Sequence, residues 1–230
     1  MNPGESMVQE FDHESADHRN HIPASKMVRL SAQFFSFIFH PLFIPVYIAW
    51  FMLFVHPLLF AGFSDPGKMK FLGIIIVNLT FFPAITVFLL WRLKLISTIY
   101  LTTQKERIIP YAAAMIFYFW CWYVVWHFSE VPVAMKQFLL GSFITIIAAW
   151  MINIYSKISM HGLAVGAMAT LVINISLEYE GASGLYSMAA LLISGIVGTS
   201  RLLVSDHDPR EIYAGFVAGA FCQVLAIWLS

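Results

Sequence analysis

The sequence predicts an all-α fold, a polytopic transmembrane helical bundle of six to seven crossings. Three observations carry that reading. Hydrophobic residues make up 60% of the 230-residue chain. Apolar runs recur from end to end, each near the roughly 20 residues that a helix rising about 1.5 Å per residue needs to cross a hydrocarbon layer about 30 Å thick. Charge is scarce: 11% of residues are Asp, Glu, Lys or Arg, against about 25% in soluble domains.

Residues 1–27 read as a disordered polar tail. Glu5, Glu10, Asp12, Glu14 and Asp17 stand there with His13, His18 and His21 and almost nothing apolar, too little to offset the cost of ordering. The tail has no basic start followed by an apolar core and a small-residue cleavage site, so it does not read as a signal peptide. Residues 28–230 form a single transmembrane domain, with crossings expected near 40–62, 69–91, 108–128, 137–155, 162–178, 184–204 and 211–229. Pro41, Pro45 and Pro57 interrupt the first of these, and an interfacial helix followed by a kinked crossing fits that stretch as well.

His40, His56 and His127 stand alone among apolar and aromatic residues and read as packing or headgroup contacts. "FYFWCWYVVW" in the third crossing reads as a lipid-facing and interfacial surface. Cys121 and Cys222 fall inside apolar segments, which argues against a disulfide framework. A net charge of zero gives no pointer to nucleic acid. "HGLAVG" and "AGFVAG" set Gly162 and Gly166, and Gly215 and Gly219, four apart; small residues at that spacing let helices meet backbone to backbone.

The charged turns are where chemistry is expected. "LKLISTIYLTTQKERIIPY", "YSKISMHG" and "SRLLVSDHDPRE" are each separated from the next by two crossings, so all three meet the same membrane face. Lys105, Arg107, Lys157, His161, Arg201, His207 and Glu211 then share one surface. The opposite face receives "FSDPGKMK", "SEVPVAMK" and "EYEGASG", short connections without His. Lys and Arg counts favour the charged-turn face as cytoplasmic, but chemistry at those turns demands the same residues, so orientation stays open.

Arg suits phosphate because its planar fork of donors meets the oxygens bidentately and keeps its charge. His trades protons near neutral pH and can act as a covalent nucleophile. Glu211 follows His207 by four residues, a helical spacing at which a carboxylate can hold an imidazole in one tautomer. Plainer roles stand beside these. Asp208 at an N-cap, Pro209 at the first helical position and Glu211 at the third make a capping box. Arg201 can snorkel to the interface, Lys157 can anchor there, and His161 can be satisfied at a helix start.

"SRLLVSDHDPRE" resembles the third signature of the type 2 phosphatidic acid phosphatase superfamily, Ser-Arg, five residues, His, three residues, Asp. Ser200, Arg201 and His207 fit in register, and Glu211 replaces the Asp. "KISMHG" is similar to a weakened second signature, Pro-Ser-Gly-His, with Ser159 and His161 matching and Ile158 and Met160 departing. "KERIIP" stands where the first signature would. The whole resembles a bacterial branch of that superfamily over roughly residues 90–225.

The resemblance implies metal-free hydrolysis of a lipid phosphate monoester or diphosphate in the cell membrane, with no cofactor. It casts His207 as nucleophile, His161 as acid to the departing alcohol and Glu211 as the group orienting His207. Arg201, Arg107 and Lys105 or Lys157, joined by Ser159 and Ser200 from the matched signatures, would bind the phosphoryl oxygens. Two rivals remain. A metal-dependent membrane hydrolase would use His161, His207 and a carboxylate as ligands, although the surrounding Arg and Lys would repel a cation. A degenerate relative would bind a lipid headgroup or anion without turning it over.

Overall fold

The structure, a computed structural model, describes residues 25–101, 103–179, 184–204 and 208–230. Residues 1–24 of the tail expected over 1–27, and the expected nucleophile His207, lie outside the described residues. Helix α1, Lys26–Ile38, begins where the Ser25 hydroxyl accepts from the Val28 amide. Lys26 and Met27 are therefore helical, which moves the expected domain boundary two residues back.

Among the described residues, six helices are long and apolar enough to cross a membrane: α3 (Asp65–Arg92), α4 (Gln104–Trp126), α5 (Val133–Tyr155), α6 (Met160–Glu178), α7 (Gly184–Val204) and α8 (Pro209–Leu229). The expected 40–62 crossing takes a different form. Its helix, α2 (Ile44–Val55), has seven α-helical and five π-helical residues, about 18 Å of rise at most. Pro45 stands in its first turn and His56, before Pro57, ends it in extended conformation. Turns at both ends carry the chain further. His40 packs on His161 at the start of α6, and His56 packs on Tyr179 just past its end. Residues 40–56 thus follow the whole length of α6 although their helix is short.

Prolines also shape α3. Pro83 has no N–H to give the Leu79 carbonyl four residues back, and the Tyr118 hydroxyl of α4 donates to that carbonyl instead, at 3.2 Å. The turn before it, Ile76–Phe81, is π-helical, and Thr80 within it donates to the Leu42 carbonyl at 2.9 Å.

Helix α6 is the centre. Its apolar window is 56% buried, against 22% in α3 and in α7, and it packs on α8, α7, α5 and α2. The glycine spacing accounts for the tightest of these contacts. A Cβ on Gly162 would stand 2.6 Å from the Ile212 carbonyl oxygen, and one on Gly215 would stand 2.7 Å from that of Ser159. One on Gly166 would strike the Phe216 backbone, and one on Gly219 the Leu163 backbone. Helix α1 packs on α7. Trp120, Tyr123 and Trp126 of the aromatic run face outward while Cys121 and Val125 between them are buried, as expected of a lipid-facing surface.

Candidate functional site

Backbone and side-chain bonds gather the three charged turns at one end. The Ser159 amide donates to the Glu211 carbonyl at 3.3 Å, joining the starts of α6 and α8. Asn153 near the end of α5 donates to the Gln104 carbonyl at 2.9 Å, joining it to the start of α4.

The second-signature segment is built as a helix start. The Ser159 hydroxyl accepts from the Gly162 amide at 3.3 Å, a cap worth about 1 kcal/mol, and the residue is fully buried. Ile158, a departure from the family pattern, is 2% exposed and packs with Tyr111, Ala114, Ile146, Ala149 and Leu163; an apolar side chain is what that position buries. His161 in the first turn is 9% exposed, with Nε2 3.1 Å from the Ser36 carbonyl oxygen. A carbonyl can only accept, so Nε2 carries the proton of the neutral ring.

His161 opens onto a cavity of about 580 Å³, within the range of small-molecule sites. Its lining brings His40, Arg107, His161 and Arg201 together with apolar residues of α2, α3, α4, α5 and α6 and with Gln223 of α8. Arg107, near the start of α4, donates from Nε to the Leu101 carbonyl at 2.8 Å and hydrogen-bonds the Tyr111 hydroxyl. The helix start beneath it is a Thr103–Glu106 capping box, whose Glu106 carboxylate also accepts from the Ser97 amide at 2.7 Å, tying the preceding loop down. Arg201 occupies the last turn of α7, half-buried.

The other expected residues fall elsewhere. Lys105 and Lys157 are exposed and outside the cavity lining. Ser200 is buried in the packing of α7. Glu211 is the third residue of α8 and half-buried. Asp208 is the N-cap as the sequence suggests, but its side chain makes no capping bond. Its carbonyl accepts from the Glu211 and Ile212 amides instead, so the expected capping box is absent.

Tyr111 escaped the sequence reading, and His40, read there as a packing or headgroup contact, lines the same cavity. His40 meets the His161 ring edge-on with centroids 5.5 Å apart. Its Nδ1 accepts from the Leu42 amide at 3.2 Å, which puts the proton of the neutral ring on Nε2. Desolvation by the cavity walls, and then the Arg201 charge, hold its pKa below the ordinary 6.5. Among the described residues no group of three His, Cys, Asp or Glu side chains is arranged to hold a metal ion. Comparison with family models, curated proteins and solved structures gives no match to this chain.

Proposed function

We propose that this chain is an integral-membrane phosphatase of the cell membrane, hydrolysing a lipid phosphate monoester or diphosphate as members of the type 2 phosphatidic acid phosphatase superfamily do. The observation that carries the reading is the cavity. Two guanidinium groups and a buried imidazole share its lining with a largely apolar set of side chains. Such a site accepts a phosphate and the chain attached to it, and it does so where charge is costly to strand.

In the reaction His207 attacks phosphorus. An N–P bond forms as the ester O–P bond breaks, and His161, entering the step protonated at both ring nitrogens, gives its Nδ1 proton to the departing alkoxide and becomes neutral. Water then attacks the phosphohistidine, His161 takes up its proton, and phosphate leaves. Arg107 and Arg201 offset the charge on the phosphoryl oxygens throughout. Glu211, in the first turn of α8, is the carboxylate assigned to orient His207.

The test is phosphate release from a panel of lipid phosphates by detergent-purified protein with EDTA present. Release should survive EDTA. It should fall about 10²–10⁴-fold in His161→Ala, the usual worth of a positioned acid–base group, and be lost in His207→Ala. Activity removed by EDTA would favour the metal-dependent rival. A folded protein that binds lipid phosphates and releases nothing would leave the binding-protein reading.

A further inference from the structure

We propose that His40 is a headgroup contact, donating its Nε2–H to an oxygen of the bound phosphoryl group, so that the turn between α1 and α2 completes the site. This rests on the reading of the cavity as a lipid phosphate site. Three observations meet at this residue. His40 lines the cavity together with Arg107, His161 and Arg201. The Leu42 amide occupies Nδ1, so the edge that meets a ligand is the Nε2–H edge. The ring lies against that of His161, whose own Nε2 is held by the carbonyl of Ser36, four residues before His40 in the chain.

The two imidazoles therefore have complementary neutral states. His161 has its proton fixed toward the backbone, while His40 is held as a donor at Nε2. The depressed pKa of His40 keeps it a neutral donor beside Arg201 rather than a third positive charge. A doubly ionised phosphate monoester offers charged acceptor oxygens, to which an N–H bonds about twice as strongly as to the neutral hydroxyl of the alcohol it is made from. Packing against Phe43 and His161 accounts for the faces of the ring and gives its Nε2–H no role.

The test reads binding apart from turnover. Full-length protein in detergent is titrated with hexadecylphosphonate, whose C–P bond is not hydrolysed, with hexadecanol, and with methylphosphonate, which has the headgroup and no chain. Wild-type protein should prefer hexadecylphosphonate to both. His40→Phe keeps a ring against His161 and removes the donor; it should weaken hexadecylphosphonate about tenfold, as loss of one hydrogen bond to a charged group does, and leave hexadecanol unchanged. His40→Gln, which restores an N–H, should recover most of the affinity. Equal phosphonate affinity in wild type and His40→Phe would overturn the proposal, as would a parallel loss for hexadecanol. If His40→Phe does not fold, His40→Gln binding no better than His40→Ala would do the same. Phosphonate binding through His40 in a protein that releases no phosphate would sink the phosphatase reading and leave this contact standing.

Discussion

His40 and His56 sit at opposite ends of the same short helix, and both are held below the ordinary histidine pKa of 6.5, chiefly by desolvation. His56 accepts from the Leu58 and Leu59 amides at Nδ1, bonds that protonation would break. Between their folded pKa values and 6.5 the unfolded chain binds more protons than the folded one, so stability rises with pH across that window. Melting temperature in detergent should therefore be flat above about pH 7 and fall as pH drops below 6.5. His40→Gln combined with His56→Gln should flatten that fall. A melting temperature that climbs on acidification would mean that these rings gain partners when charged. Neither role could be read locally. "FHPLF" shows a histidine before a proline, but its partner His161 and the Ser36 carbonyl holding that partner lie more than a hundred residues apart in sequence. Ser159 teaches the converse. It matches a phosphatase signature, yet its hydroxyl caps a helix, and both facts fit the same few letters.

The packing of α6 on α8 depends on four glycines, and the expectation from their spacing is met at backbone resolution. A methyl group on Gly166 or Gly219 would meet main-chain atoms, which no rotamer change can clear, so the helices themselves must part. Gly166→Ala and Gly219→Ala should each cost about 1–3 kcal/mol, as overpacking does. They should also lower activity, because the Ser159–Glu211 bond that aligns the two helix starts would lengthen. Gly73, Gly195 and Gly198 are the controls: a Cβ there meets nothing within 4 Å, and alanine should be neutral or slightly stabilising. Equal losses at all five positions would refute close packing as the cause. The long spans were legible because an unbroken apolar run of membrane length has few other folded states. The 40–62 stretch was not. Its prolines and π-helical turn shorten the helix, while its burial against α6 and α3 depends on contacts that a linear pattern does not contain. The Thr103–Glu106 box is written in the sequence as "TQKE", where the same letters carry Lys105 of a basic segment and so support two readings.

The bundle is polar in a second sense, with chemistry at one end and plain connections at the other. Bonds between distant segments enforce this: Ser159 to Glu211, Asn153 to Gln104, and His161 to Ser36 all tie the same end together. With six candidate spans among the described residues and Arg107, His161 and Arg201 at that end, the proposed substrate would present its phosphate from one leaflet. Single-cysteine substitutions at exposed positions test the arrangement. Lys157→Cys and Arg210→Cys should react with a membrane-impermeant maleimide from one side of sealed vesicles, and Glu130→Cys only from the other. Cys121 and Cys222, both buried, should stay silent. Labelling of Lys157→Cys and Glu130→Cys from the same side would break the topology. With sidedness fixed, a lipid phosphate confined to the leaflet on the Lys157 side should be consumed while the same lipid in the opposite leaflet persists. Equal consumption from both leaflets would require access from both faces, and would move the site away from the charged turns altogether.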